Sequence, residues 1–541
     1  MTKPDIHILH NAKIYTGDVD HPWAESLAIV DGKIAGLDAD ALAWQDAPGV
    51  EEKDTEDLNG ALIIPGLIDS HIHLMWYARS LRQLQLRGLS RAALLAEVAA
   101  RAAELPPGEW ITGRGWDQNI WADDSFPTRE ELDRVAPAHP VALTAKSGHA
   151  LVANSAALRA AGITDETPDP AADGKLGRDA RGRLNGMFFE NAVPLISQAV
   201  PDLPLATLCD AMAEAQTHLL ASGITGIHDV DGEPAFEAFQ ALRQQGRLDV
   251  RVTKYVRQES FDAVLGAGLR SGFGDDWLRF GGLKLFADGA LGARTAALFE
   301  PYEGEPENTG VLTLTREQLR DLARRAVDAH IAMAIHAIGD RTNRIVLDVL
   351  EEVAPLAPEL RHRIEHVQLI APADQPRLAR MGIVAAMQPI HAAHDWRMAD
   401  RYWGARSAHA YAWRSLLDEG TILAFGSDAP IEIFDPFAGL YAAVTRRAED
   451  GSPGPEGWYP EQALTLEEAL HAYTWGSAYA VQMENRLGRL RPGYHADLMV
   501  LDRDIFALPP EALLETQVQR AMVGGAWRYN LQENPKECVS K

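Results

Sequence analysis

Eight short apolar runs recur through the middle of this chain, separated by stretches with helical spacing. They read "IIPGLIDSHIH", "GITGIHDV", "DVRVTKYV", "GLKLFADG", "IAMAIHAI", "HRIEHVQL", "GIVAAMQP" and "TILAFGSDAP". Between them, segments such as "REQLRDLARRAVDAH" and "LTLEEALHAYTWGSAYAVQM" place apolar residues three and four apart. Strand–helix alternation is the pattern of a parallel α/β fold, and eight repeats suit a (β/α)8 barrel. A ninth run, "PVALTAKSGH" at 140–149, falls in the gap of about 150 residues between the first and second strands. That gap far exceeds an ordinary strand–helix connection. An insertion of roughly 75–205 is therefore expected after the first strand, over the barrel mouth, with 140–149 inside it.

The ends of the chain differ from the middle. "DIHILHNAKIYTG" and "SLAIVDGKIAGLD" near the start, and "RLGRLRPGYHADLMVLD" and "VQRAMVGGAWRYN" near the end, alternate and close on turn residues. Neither set makes a stable sheet alone. The expectation is an α/β protein: residues 65–484 form a TIM barrel, and residues 1–64 plus 485–541 form one composite β-sandwich.

The polar residues that close the apolar runs carry the chemistry. His71 and His73, two apart on one strand, send both imidazoles to the same face, where they can grip one cation. His336, His366 and Asp428 end the fifth, sixth and eighth strands. For each alone, a structural hydrogen bond is explanation enough, but four such sites at strand ends require repeated coincidence. Imidazole and carboxylate together suit zinc, or Mn, Fe or Co as divalent ions. Lys284 sits within the fourth apolar run, where an unpaired ammonium is strongly disfavoured. Two readings are open. Lys284 pairs with nearby Asp288, its head group reaching water. Alternatively, it loses its proton near cations and adds CO2 to become an anionic carbamate. The surrounding histidines favour the second.

These residues resemble those of the amidohydrolase superfamily, and more narrowly the YtcJ-like subgroup typified by N-substituted formamide deformylase. The likeness rests on "PGLIDSHIHL", "LTAKSGHALVANSAAL", "GGLKLFADGALGARTAAL", "AIHAIGDRTN", "RIEHVQL" and "AFGSDAP", and it covers nearly the whole chain. The resemblance implies two divalent metal ions, most commonly Zn. His71, His73 and Asp428 would hold one, and His336 and His366 the other, with a CO2-derived carbamate on Lys284 between them. It implies hydrolysis of a C–N amide-type bond, of an N-formyl or N-acyl amine, outside peptide bonds. Two such metals share and activate a water. Asp428 then serves as general base and afterwards as general acid toward the leaving amine. An esterase, lactonase or deaminase on the same scaffold is the alternative, as is a binding protein that has lost its metals.

Other polar residues near the strand ends are candidates for substrate contact: His149, Glu190, His228, Arg294 and His391. His394 and Asp395 could line the pocket, Asp229 could support the donors, and Trp76, Trp116 and Trp121 could supply an aromatic wall. The chain of 541 residues carries 77 acidic against 51 basic side chains, a formal charge of −26. Such a surface repels phosphate backbones, so a nucleic-acid partner is not expected. Phosphate-loop and dinucleotide fingerprints are absent, and "GWDQNIWADDSFPTREELD" lacks calcium-loop spacing. The expected partner is a small-molecule amide, and a homo-oligomer is compatible with the sequence. Two cysteines, Cys209 and Cys538, no leader-like apolar segment and no long apolar run point to a cytoplasmic protein without a membrane span.

Overall fold

The computed structural model describes residues 4–121, 125–146, 150–170 and 174–533. It contains two compact units, one of residues 1–77 with 212–541, the other of residues 78–211. In the first unit, eight strands form one parallel sheet in sequential order: β1 (Leu67–Ile72), β2 (Ile224–Asp229), β3 (Arg251–Arg257), β4 (Leu278–Phe286), β5 (Ala332–Ala337), β6 (Arg363–His366), β7 (Val384–Met387) and β8 (Leu423–Phe425). All eight expected runs contribute a strand. Strands covered by helices outside and side chains within are buried on both faces, so they read as continuous apolar runs. Every residue of β1, β2, β6 and β7 is buried.

The first strand meets the last at a seam stitched by specific groups. Asp428 N–H donates to His71 O at 2.7 Å, and His73 N–H donates to Ala429 O at 2.9 Å. Asp69 accepts from Ser427 N at 3.0 Å and from Ser427 Oγ at 2.5 Å. Gly426 has room only for hydrogen, since a Cβ there would lie 2.5 Å from His71 N. The helices outside follow from sequence. Arg316–Asp328 starts with a Thr315–Gln318 capping box and buries Leu319, Leu322, Ala323, Ala326 and Val327 on one face.

The terminal segments share one six-stranded sheet. Leu62–Pro65 lies between Lys13–Tyr15 and Leu498–Leu501, and Val518–Val523 and Ala526–Asn530 extend it. Ile6–His10, Leu27–Val30, Lys33–Leu37 and Thr55–Asp57 make a second sheet. Leu9, Ile14, Leu27, Ile34, Ile63, Leu498, Val500 and Met522 pack in one apolar core drawn from both ends of the chain. The fold is thus a TIM barrel with a terminal β-sandwich.

The second unit has its own six-stranded sheet. The ninth apolar run supplies strand Val141–Ala145 of that sheet, parallel to Ile111–Trp116, rather than a barrel strand. Among the described residues no helix is long and apolar enough to cross a membrane. Cys209 is buried; Cys538 and His149 lie outside the described residues.

Candidate metal centre

The C-terminal ends of the barrel strands converge on Asp428. Its Oδ1 lies 3.5 Å from His71 Nε2 and 3.4 Å from His73 Nε2. Its Oδ2 lies 4.0 Å from His366 Nδ1 and 3.8 Å from His391 Nε2. Two groups result, His71–His73–Asp428 and His366–His391–Asp428, each compact enough to hold a cation and sharing the carboxylate. The His366 ring is 4.8 Å from that of His71 and 4.7 Å from that of His336. His366 and Asp428 hold φ of +74° and +60°, left-handed values that cost a non-glycine residue energy and cluster at functional sites.

Each imidazole has one nitrogen engaged, which fixes the nitrogen left to face the centre. His71 Nδ1 meets Glu365 Oε2, His73 Nδ1 meets Asp231 Oδ1 at 3.1 Å, and His366 Nδ1 meets Gln388 Oε1 at 2.8 Å. These three leave Nε2. His336 differs: its Nε2 donates to Gly289 O at 3.0 Å, leaving Nδ1. Burial, then Lys284, lower the pKa of His71 and of His336 to about 4, and burial, then His336, depress His366 well below the usual histidine value. Their lone pairs are therefore available at neutral pH. Burial acts the same way on His73, but hydrogen bonds to Asp231 and Asp428 outweigh it and raise the value to about 9. Burial would raise Asp428, yet the facing histidines, His71 first, hold it well below the usual carboxylate range.

Lys284 is fully buried among these groups, and its Nζ has no hydrogen-bond partner among the described residues. Burial lowers its pKa to about 8 against the attraction of Glu365 and Asp428. The alternative of an ion pair with Asp288 does not form. Asp288 spends its oxygens on Ile338 N, Gly339 N, Ala297 N and Thr342 Oγ1. An orphaned amine, the neutral imidazoles of His71, His336 and His366 and a shared carboxylate are a donor set that fits a divalent pair.

Charged side chains that the strand-end pattern did not single out support the donors. Arg363 Nε lies 2.5 Å from Glu365 Oε1, too bent for a hydrogen bond but an ion contact, and both side chains are fully buried. Arg363 also donates to His228 Nδ1 at 2.7 Å and to Ser70 O at 2.8 Å. Beneath His73, Lys254 Nζ bonds Asp229 Oδ1 at 2.8 Å and Asp231 O at 2.5 Å. Asp229 and Asp231 also accept from Leu74 N and Met75 N at the start of helix Leu74–Leu81. The signal for these partners was present: "RVTKYV" and "HRIEH" place charges in apolar strands, as "GLKLF" does.

The remaining candidates lie variously. His391 joins the centre, with Gln368 Nε2 3.2 Å from its Nδ1 and its own Nε2 without a hydrogen-bond partner. His228 lies under it, against Arg363. Arg294 is paired with Glu305 and stands over the Tyr402 ring at 5.4 Å. Asp395 accepts from Tyr411 at 2.8 Å, and His394 bridges Glu432 and Glu449 at 2.8 and 3.0 Å. Trp76 stacks on His73 at 4.5 Å. Glu190, Trp116 and Trp121 belong to the second unit, where Trp116 is buried and donates to Leu143 O at 2.8 Å.

Comparison with known proteins agrees with this geometry. A family model described as "Amidohydrolase family" matches residues 54–529. The protein YtcJ of Bacillus subtilis (strain 168) is 35% identical, over 96% of this chain and 99% of its own. N-substituted formamide deformylase of Arthrobacter pascens is 29% identical, over 98% and 99%. The crystal structure of an uncharacterized metal-dependent hydrolase from Pyrococcus furiosus superposes with a TM-score of 0.79 at 31% identity, covering 94% of this chain and 100% of that one.

Proposed function

The chain belongs to the amidohydrolase family, and on that premise we propose that it hydrolyses a C–N amide-type bond, in an N-formyl or N-acyl amine, with a binuclear metal centre. The single observation that carries this reading is Asp428, whose two carboxylate oxygens face two separate imidazole groups. His71, His73 and Asp428 would hold one cation, and His336 and His366 the other, with His391 close enough to Asp428 to share in the second group. Zinc suits the imidazole-rich set best, and Mn, Fe or Co also fit. Lys284 completes the centre: its neutral amine adds CO2, forming an N–C bond and releasing a proton, to give a two-oxygen anion. The buried, unpartnered Nζ supports this step.

Bound there, two divalent cations supply a water of lowered pKa and an electrophile for the carbonyl oxygen. Asp428 Oδ2, 4.0 Å from His366 Nδ1 and 3.8 Å from His391 Nε2, is the oxygen that takes the proton of the attacking water. Asp428 then delivers that proton to the leaving nitrogen as the C–N bond breaks, giving a carboxylate and an amine. Chemistry is confined to the barrel of residues 65–484, and the protein works in the cytoplasm.

The test combines metal removal with two substitutions. Dialysis against a chelator abolishes hydrolysis of N-formyl and N-acyl amines, and Zn, Mn, Fe or Co restores it. Asp428→Asn lowers kcat by about 10²–10⁴-fold. Lys284→Ala loses bound metal together with activity. Full activity and full metal content in Lys284→Ala, or turnover only of esters and lactones, overturns the proposal.

A further inference from the structure

Arg257 is a cation beside the metal centre that forms no salt bridge among the described residues. It ends β3 and pairs in register with Lys284 on β4. Tyr255, two residues earlier on the same face of the strand, packs against buried Arg363, so Arg257 points along the lumen toward the mouth. Among the described residues its side chain makes one long hydrogen bond, from Nε to Val230 O at 3.5 Å, and no carboxylate pairs with it. The nearby acid, Glu233, accepts from Ser260 and is stabilised by the charge of Arg257, but makes no salt-bridge contact with it.

Two aromatic rings hold the guanidinium in place. Trp76 lies 5.5 Å from it and stacks on His73 at 4.5 Å. Phe286 lies 5.9 Å from it and 4.9 Å from Lys284 Nζ. Through these rings Arg257 neighbours His73 and Lys284. Nε is the nitrogen engaged with Val230 O, and a guanidinium whose Nη1 and Nη2 are not so engaged can bind a carboxylate in bidentate fashion. Both rings are 39% exposed, so the same wall offers apolar surface to a ligand.

We infer that Arg257 anchors a substrate carboxylate, so that the amides this site takes are anionic ones of the N-formyl or N-acyl amino acid class. The inference rests on the amide-hydrolase reading for the bond that breaks and on Arg257 alone for the charge. Arg294, paired with Glu305, does not fill this role.

Calorimetric titration of the chelator-treated full chain tests it without turnover, with racemic N-formyl-phenylalanine and its carboxamide as probes. The acid binds about tenfold to a hundredfold more tightly than the amide. In Arg257→Met that ratio collapses to about threefold or less, and in Arg257→Lys it is intermediate, because an ammonium keeps the charge but loses the fork. Equal affinities in the unaltered protein, no binding of the acid, or a ratio preserved in Arg257→Met overturns the anchor. Hydrolysis of the same pair by metal-loaded enzyme separates the two claims. Acid-selective binding with neither probe hydrolysed removes the amide-hydrolase reading and keeps the anchor. Hydrolysis of both without preference keeps that reading and removes the anchor.

Discussion

Glu365 is a fully buried carboxylate, one residue before His366. It persists there because Arg363 on one side and His71 on the other hold it well below the usual carboxylate range, against burial that would raise it. In return it fixes the His71 ring so that Nε2 faces Asp428. Glu365→Gln keeps the shape but leaves Arg363 buried without its anion, and the His71 ring loses a charged partner. Metal affinity is expected to fall about 10–100-fold in a chelator-competition titration; a change below threefold shows that Glu365 does not tune the centre. At this scale the grouping of His71, His73 and His366 about Asp428 was legible, and the partners of those residues were not. His71, His73, His336, His366 and Asp428 advertise themselves by residue type at the ends of apolar runs. Asp231, Gln388 and Glu365 act across strands, and no local spacing says which imidazole each will meet. Lys284 was legible for the opposite reason, since an ammonium in an apolar strand is costly wherever that strand lies.

At the scale of elements, apolar runs identify strands, and pairing decides where they go. The run at 140–149 reads as well as any barrel strand, yet Val141–Ala145 pairs with Ile111–Trp116 in a separate sheet. Its tertiary neighbours, not its composition, settle that. The seam between β8 and β1 was equally silent, because it depends on Ser427 and Gly426 meeting Asp69 and His71 from the far end of the barrel sequence. Helix Pro389–Trp403, which carries His391, is tied to the segment after β8 by His394, held between Glu432 and Glu449. Those two hydrogen bonds outweigh burial and raise the His394 pKa to about 10 from 6.5. A histidine whose folded value is raised stabilises the fold fully below its unfolded value and loses that contribution as pH climbs through the folded one. The tie is therefore strongest near pH 6.5 and gone above about pH 10. Melting curves of the wild type and His394→Gln should differ most near pH 6.5 and converge by about pH 10. A gap that stays constant across that range shows that the tie carries no protonation-linked stability.

At the scale of the molecule, the question is what fixes a sandwich made from both chain ends to a barrel made from the middle. Part of the answer is direct continuity, since Leu62–Pro65 runs into β1 through Gly66. The rest lies in Arg251 at the start of β3, whose Nε and Nη2 grip Asp497 Oδ2 and Oδ1 at 2.5 and 2.9 Å, with both side chains over nine-tenths buried. Asp497 also accepts from Gly524 N at 2.8 Å, so a barrel strand, the edge of Leu498–Leu501 and the turn before Ala526 meet at one carboxylate. Removing one partner of a buried pair costs more than the pair is worth, because the survivor keeps its charge without water. Asp497→Ala is thus expected to destabilise the protein by about 3–5 kcal/mol in denaturant unfolding. Replacing both partners, Arg251→Met with Asp497→Leu, should recover most of that loss, since neither charge is then stranded. If the double variant is as unstable as Asp497→Ala, the hydrogen bond from Gly524 matters more than the ion pair, and it is the carboxylate's hold on that turn which joins the terminal sheet to the barrel.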